Sequence, residues 1–212
     1  MTFVDFVGKL EQRLQQPLPG RDAQIRMSAK FDPAMKDKYF SAPDSARLGG
    51  VLVLFYPSNG SIYLPLMKRP EYPGVHSGQV SFPGGKKEDQ DDDLIQTALR
   101  EAEEEVGVVQ QDVKIIGALS ELFIFASNFK VLPTIGYVES RPEFIPDQKE
   151  VVQIIETDLQ ALRNPHTIKE TDIPISKGYK LRAPYFDIDG HVVWGATAMM
   201  LSELVHVINE LD

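Results

Sequence analysis

Four glutamates lie within five residues near the middle of the 212-residue chain, in the stretch Arg-Glu-Ala-Glu-Glu-Glu-Val-Gly at 100–107. On a helix, residues three and four apart share a face. Glu101, Glu104 and Glu105 are therefore predicted to project outward together, with Glu103 turned elsewhere toward solvent. Like charges at this spacing repel. The stretch is either an ordinary solvated face or a site for a divalent cation, since carboxylate oxygens suit Mg²⁺.

A helix over residues 92–106 must position these acids. The residues predicted to form its buried face are Leu94, Ile95, Ala98, Leu99, Ala102 and Val106. Gly107 stands where a helix C-terminus favours glycine. Arg100 lies four residues before Glu104 and can hold that carboxylate in place. Gly84 and Gly85 precede the acids and allow the backbone to approach a ligand closely.

The rest of the pattern predicts an α+β protein with one main domain. Continuous apolar or alternating runs indicate strands at 49–57, 61–69, 113–125, 130–138 and 180–194. Residues 149–162 read as a strand and a short helix, 196–211 as a long helix, and 70–85 as a loop. Strands and helices show no regular βαβ alternation, which favours α+β over a doubly wound sheet.

The N-terminal region is predicted to be an amphipathic helix at 2–16 and a connecting arm. Thr2 can cap the helix, and apolar residues recur at helical spacing. Residues 17–45 are mostly polar, with several prolines and no strong period. We predict an N-terminal helix and arm at 1–45 and the main domain at 46–212. The apolar helix face can pack on its own domain or on a second subunit, which leaves a homodimer open.

Composition excludes several functions. A net charge of −9 disfavours a nucleic-acid-binding protein, which needs a basic stripe. The absence of cysteine excludes disulfides, thiolate zinc sites and a cysteine nucleophile. No apolar run approaches the roughly 20 residues that span a bilayer, and charged residues interrupt 1–20. The composition predicts a cytoplasmic protein without a membrane partner.

Several familiar motifs fail on inspection. A phosphate-binding Walker loop ending at Gly85-Lys86 would need glycine at 80 and serine or threonine at 87, where Val80 and Lys87 stand. A calcium loop from Asp89 would need a glycine and a glutamate that are absent. The four histidines form no His-Glu-x-x-His pair.

The order of residues around the glutamates resembles the Nudix hydrolase signature. That signature is a glycine, a spaced acid, then Arg-Glu, an apolar residue, any residue, Glu-Glu, any residue, glycine and an apolar residue. Gly85 and the run 100–108 match it, and the spaced acid is Asp91 or Asp92. The gap from Gly85 to Arg100 is one residue longer than the general pattern.

This resemblance implies a Nudix fold, a mixed β-sheet sandwiched between helices, and hydrolysis of a small nucleoside diphosphate linked to another group. It implies Mg²⁺ or Mn²⁺ held by Glu101, Glu104 and Glu105. Arg100 would orient a glutamate. The general base would be Glu104 or Glu150, which the sequence does not decide.

The longer linker and an upstream element resemble the branch of the family that cleaves coenzyme A. Arg69 and the run Gly-Gln-Val-Ser-Phe-Pro-Gly-Gly at 78–85 are in the register of that branch. The implied reaction gives 3′,5′-ADP and 4′-phosphopantetheine. The residues implied to contact substrate are Arg69, His76, Gln79, Gly84 and Gly85.

Two departures from that branch keep other functions open. The branch has Leu-Leu-Thr where Pro65-Leu66-Met67 stands, and a second arginine where Gly74 stands. The alternatives are a pyrophosphatase for ADP-ribose, NADH or another dinucleotide or nucleotide sugar, and a non-catalytic nucleotide-binding module.

Overall fold

The computed structural model describes residues 1–29, 39–71, 77–174 and 180–211. The α-helices described in full are α1 (Phe3–Leu14), α2 (Arg21–Gln24), α3 (Leu94–Val106), α4 (Leu159–Arg163) and α5 (Gly195–Asn209). The strands are β1 (Arg47–Ser58), β2 (Ser61–Lys68), β3 (Val80–Ser81), β4 (Gly84–Lys86), β5 (Lys114–Ala118), β6 (Leu122–Ile124), β7 (Phe129–Tyr137), β8 (Gln153–Asp158), β9 (Ile168–Pro174), β10 (Lys180–Ile188) and β11 (His191–Trp194).

An eight-stranded mixed sheet forms the centre of the fold. Its main order is β3-β2-β1-β7-β5, with β4 also paired to β1, β6 to β7 and β8 to β2. Strands β1 and β7 are parallel, whereas β4 and β2 run antiparallel to β1. Strands β9, β10 and β11 form a second sheet in the order β11-β10-β9. The predicted α+β class and mixed sheet are confirmed.

Strand β1 is apolar on both faces because each face lies in a separate core. Leu52, Leu54 and Tyr56 pack with α3, while Val53 and Phe55 pack with side chains of α1 and α5. Alternate residues of a strand point to opposite faces, so the continuous apolar run predicted at 49–57 suits a strand buried on both sides. Helix α3 therefore lies flat on the sheet, opposite α1 and α5.

Helix α1 packs on its own chain. Thr2 caps it in a reciprocal pair with Asp5. Phe6 is fully buried, with its ring edge-on to that of Phe55 at a centroid distance of 5.1 Å. The interpretation of 17–45 as a connecting arm is wrong for part of its described length: Gln24 of α2 is buried and donates from Nε2 to Glu203 of α5 at 2.8 Å.

Three other expectations need correction. The predicted loop at 70–85 includes β3 and the first two residues of β4. The single strands expected at 113–125 and 180–194 are each two strands. Strand β9 was missed because its side chains are mostly exposed and only Ile173 is buried, so it lacks an apolar alternation. No helix among the described residues is long and apolar enough to cross a membrane.

Candidate active site

Helix α3 has a polar buried face. The Asp93 side chain caps its start by accepting from Gln96 N at 2.8 Å, and Gly107 ends it with a left-handed φ of 75°, as predicted. The expected apolar residues are only partly right. Ala98, Ala102 and Val106 are buried, whereas Leu94, Ile95 and Leu99 are half-buried. Thr97, Arg100 and Glu105 are buried instead.

The Glu105 carboxylate points into the protein. Only 2% of the residue is exposed. Its Oε2 accepts from Gly84 N and its Oε1 from Arg69 Nη2, both at 2.8 Å. Arg69 Nη2 also donates to Gly84 O at 3.1 Å. The prediction that three carboxylates project outward together is therefore wrong for Glu105, because the adjacent β4 backbone and Arg69 supply its partners.

Burial of Glu105 leaves its charge only partly offset. Desolvation raises the pKa of Glu105 to about 7, against the lowering effect of Arg69 and the Gly84 N–H, and the charge of Glu101 raises it further. Desolvation also raises the pKa of Glu101, opposed by Arg100 and reinforced by the charges of Glu104 and Glu150. Excess negative charge is thus concentrated along one side of α3.

Arg100 fixes the geometry of this charge cluster. Its Nε and Nη2 donate to the two oxygens of Asp91 at 2.9 and 3.0 Å. Its Nη1 lies 2.9 Å from Glu101 Oε1 and 3.2 Å from Glu104 Oε2. The predicted contact of Arg100 with Glu104 is confirmed, and the guanidinium reaches Glu101 as well.

Asp91, and not Asp92, is the acid that pairs with Arg100. It is buried, whereas Asp92 is exposed. It also accepts from Thr97 Oγ1 and Glu88 N, each at 2.9 Å. The hydrogen bonds from Arg100 hold the pKa of Asp91 well below its usual range. Asp91 is thus an ionised anchor for Arg100.

The glycines of β4 make room for this arrangement. A Cβ on Gly85 would lie 2.4 Å from the Glu101 carboxylate. A Cβ on Gly84, whose φ is 150°, would lie 2.4 Å from Gly50 O. Gly50 in turn lies against the first turn of α3, where a Cβ would meet Leu94 O at 2.2 Å. The paired Gly49 and Gly50 at the start of a buried strand are the sequence signal for this close backbone approach, which the motif around the glutamates does not include.

The segment between β7 and β8 carries Glu150 to the cluster. Ile145 N donates to Val106 O, and Asp147 N donates to Glu105 O, each at 2.9 Å. These bonds dock the segment on the last turn of α3. Glu150 is exposed, and its charge raises the pKa of Glu101. Glu150 therefore lies near enough to α3 to act on the Glu101 carboxylate electrostatically.

The other residues predicted for the site are Glu104, Gln79 and His76. Glu104 is at the site with 60% of its side chain exposed, and the Gln79 carbonyl accepts from Arg69 N at 2.9 Å. His76 lies outside the described residues. Glu103 is separate from the site, as expected, although it binds Gln110 Nε2 at 2.6 Å and is not simply solvated.

The NUDIX domain family matches residues 46–177, more than half of the chain. The chain belongs to the Nudix family. It is 36% identical to an "Uncharacterized Nudix hydrolase NudL" of Yersinia enterocolitica over 148 residues, which are 69% of this chain and 74% of that protein. It is 30% identical to "Nudix hydrolase 15, mitochondrial" of Arabidopsis thaliana over 194 residues, 89% of this chain and 67% of that one.

A solved Nudix structure shares the fold. The Nudix hydrolase RenU of M. smegmatis aligns with 77% of this chain and 87% of its own, with a TM-score of 0.52 and 12% identity. The alignments cover 74% and 67% of the two Nudix hydrolases named above, and the protein is an enzyme of the pyrophosphohydrolase type. Nudix hydrolases act on small nucleotide substrates and generally use divalent ions such as Mg²⁺ or Mn²⁺.

The chemistry of this Nudix site fits a divalent cation. Among the described residues, four carboxylates (Asp91, Glu101, Glu104, Glu105) form ion pairs with only two guanidinium groups, those of Arg69 and Arg100. Within the described ranges, no three acidic or histidine side chains are already arranged as a metal site, since the carboxylates point toward the arginines and Gly84. Hard oxygen donors with surplus negative charge are the ligand set that Mg²⁺ and Mn²⁺ prefer.

Proposed function

We propose that this Nudix enzyme is a metal-dependent coenzyme A diphosphatase that releases 3′,5′-ADP and 4′-phosphopantetheine. One observation carries the proposal: Arg69 Nη2 bonds both Gly84 O and Glu105 Oε1. The upstream element that resembles the coenzyme A branch, Arg69 and residues 78–85, thus meets the carboxylate helix directly. The two sequence elements belong to one site, which supports reading them as one signature.

The departures from that branch weigh less than the sequence suggests. Pro65, Leu66 and Met67 are all buried in β2. Buried strand side chains pack against neighbouring elements and do not meet a substrate in solution. Only Pro65 and Met67 differ from the branch, since Leu66 matches its second leucine, and both differences lie at buried packing positions. Gly74, the other departure, lies outside the described residues.

The α3 carboxylates are assigned to the cation. Glu101, Glu104 and Glu105 would hold Mg²⁺ or Mn²⁺. Once bound, the ion offsets the negative charge of the substrate phosphates and lowers the pKa of a water molecule. Arg100, itself fixed by Asp91, orients the Glu101 and Glu104 carboxylates, which is the usual work of an outer-shell partner. Arg69 similarly orients Glu105.

Hydrolysis requires that water attack one phosphorus of the diphosphate. The water oxygen forms a bond to that phosphorus, and the anhydride P–O bond breaks with its electron pair leaving on the other phosphate. We assign the water proton to Glu150, because it lies near the cluster on a separate segment while Glu104 belongs to the cation set. Glu150→Gln should lower kcat and leave Mn²⁺ affinity unchanged, whereas Glu104→Gln should lower both. Equal loss of Mn²⁺ affinity in the two variants would reverse the assignment.

A substrate panel tests the proposed activity. Purified protein with Mg²⁺ is incubated with coenzyme A, ADP-ribose or NADH, and the products are separated by chromatography. We expect coenzyme A to give the highest kcat/KM, with 3′,5′-ADP and 4′-phosphopantetheine as products. A higher kcat/KM for ADP-ribose or NADH would overturn the assignment of substrate and leave a Nudix pyrophosphatase of another specificity. No turnover of any substrate would favour a nucleotide-binding module.

A further inference from the structure

We propose that the face of β4 opposite the carboxylates binds the 3′-phosphorylated adenosine end of the substrate, an inference that rests on the proposed coenzyme A activity. The adenine would stack on the Arg47 guanidinium, which is backed by the Phe129 ring, and Lys86 would bind the 3′-phosphate. Arg47, Lys86 and Phe129 are named here as the adenosine subsite. Their side chains form no ion pair with the carboxylates of the cation site among the described residues, although the Lys86 carbonyl accepts from Arg100 Nη2 at 3.1 Å.

The register of β4 places the subsite next to the reacting groups. Gly85 faces Glu101. Because successive strand residues point to opposite faces, the Lys86 side chain projects from the face of β4 opposite Glu101. Lys86 pairs directly with Gly49 of β1, and paired residues project from the same side. The Phe129 ring lies on that side, because a Cβ on Gly49 would meet its Cδ1 at 3.3 Å.

The distance between Gly85 and the adenosine subsite suits the length of one nucleoside. Arg47 is two residues before Gly49 on β1 and pairs with Phe129 of β7. With about 3.3 Å per residue and about 4.8 Å between strands, the subsite lies roughly 10 Å from Gly85. Among the described strands β4 pairs only with β1. A substrate folded over the other edge of β4 can therefore place its diphosphate at α3 and its adenosine on the opposite face.

The chemistry of the subsite suits an aromatic base with an added phosphate. The Arg47 guanidinium carbon lies 4.1 Å from the centre of the Phe129 ring, and Nη2 donates to Ser127 O at 2.6 Å. One face of the exposed guanidinium is thus covered and held, and the other is left for stacking, a contact that planar bases make readily with arginine.

Two cations of the subsite are not neutralised by acids. Within the described part of the chain, neither Arg47 nor Lys86 forms an ion pair with a carboxylate, and Lys86 is exposed. In a chain with a net charge of −9, such cations beside a site for an anionic substrate provide charge complementarity. Coenzyme A carries a 3′-phosphate that ADP-ribose and NADH lack. The subsite therefore predicts that the enzyme prefers coenzyme A to ADP-ribose and NADH because of that phosphate.

Calorimetric titration with 3′,5′-ADP and 5′-AMP in the presence of Mg²⁺ tests the subsite without turnover, because neither ligand contains a diphosphate linkage. We expect the wild-type protein to bind 3′,5′-ADP about tenfold or more tightly than 5′-AMP, a ratio typical of one charge-assisted contact. Lys86→Ala should remove this preference and leave 5′-AMP binding unchanged. Arg47→Ala should weaken both ligands.

The control is Arg182→Ala, which removes another exposed strand arginine, one paired with Glu170 on the second sheet, and should change neither affinity. Equal affinities for both ligands in the wild type, or wild-type affinities in Lys86→Ala and Arg47→Ala, would overturn the subsite. Coenzyme A hydrolysis by the same preparations separates the two proposals. If coenzyme A is cleaved and neither Lys86→Ala nor Arg47→Ala changes its KM, the subsite alone is refuted. If the protein binds 3′,5′-ADP more tightly than 5′-AMP as expected but does not cleave coenzyme A, the proposed function alone is refuted.

Discussion

Two arginine–carboxylate clusters in this protein differ in their charge balance. At α3, four carboxylates contact the guanidinium groups of Arg69 and Arg100. At the second cluster, Arg141 donates to both oxygens of Glu156 at 2.7 Å, and Tyr56 Oη donates to the same carboxylate at 2.8 Å. One guanidinium pairs with one carboxylate there, so the charges of the second cluster balance. The balanced cluster joins neighbouring segments, whereas the surplus negative charge at α3 suits an added cation.

The clusters also differ in burial. The Arg100 and Asp91 side chains are 10% and 1% exposed, against 47% and 32% for Arg141 and Glu156. A buried pair loses more free energy when one partner is removed, because the other charge stays desolvated. The α3 cluster is therefore expected to contribute more to stability per ion pair than the exposed Arg141–Glu156 pair.

The largest expected effect comes from reducing the surplus charge. Glu101→Gln and Glu104→Gln should each lower kcat/KM by roughly 10²- to 10³-fold, the scale of losing one electrostatic partner of a transition state. Glu103→Gln is the matched control on the same helix, since Glu103 binds Gln110 and not the cluster, and its activity should stay within about twofold of wild type. The measurement is initial rates with coenzyme A. Similar losses in all three variants would show that charge on α3, and not its placement, matters.

The next largest expected effect is a difference between the two clusters in their contribution to the free energy of unfolding. Asp91→Ala leaves the buried Arg100 guanidinium without its main partner and should lower the free energy of unfolding by about 3–5 kcal/mol. Arg141→Ala removes an exposed partner and should cost about 0–1 kcal/mol. Urea unfolding followed by circular dichroism measures both. If Arg141→Ala proves as destabilising as Asp91→Ala, the distinction between the clusters fails.

A smaller effect is the pH dependence caused by Glu105. Its pKa is raised from the ordinary value of 4.5 to about 7 in the folded, metal-free protein, so between these values the folded state holds a proton that the unfolded state has released. Stability should therefore fall as pH rises from about 4.5 to about 7 and level off above, by up to about 3 kcal/mol.

Glu105→Gln cannot ionise and should lose this part of the pH dependence. The test is urea unfolding of both proteins in a metal chelator at pH 5 and pH 8. The wild type should be less stable at pH 8 relative to pH 5 than the variant is. Parallel pH profiles for the two proteins would assign the effect to other groups.

Sequence predicted the position of α3 within two residues but not the direction of all its acids. Glu105 lies three residues after Ala102 and seven after Ala98, on the buried stripe. A charged residue there was expected outside, because its partners, Gly84 and Arg69, are 21 and 36 residues away along the chain. Contacts of that kind depend on how β4 meets the helix.

The same limit explains the other differences. Choosing Asp91 over Asp92 required the positions of Thr97 and Arg100, which only the folded linker defines. Strand β9 is nearly all exposed, so no hydrophobic period marks it. Elements with a buried stripe, such as α1, β1 and α5, were predicted with their type and approximate bounds because burial imposes a period on the sequence.

The most direct test of the account is a Mn²⁺ titration of the wild-type protein and of Glu104→Gln, followed by electron paramagnetic resonance of the free ion. Glu104 is largely exposed, so its substitution changes the charge of the site without disturbing the core. The account predicts saturable Mn²⁺ binding by the wild type that Mg²⁺ displaces, and affinity at least about tenfold weaker in the variant. Absence of saturable binding by the wild type, even with 3′,5′-ADP present, or equal affinity in the two proteins, would contradict it.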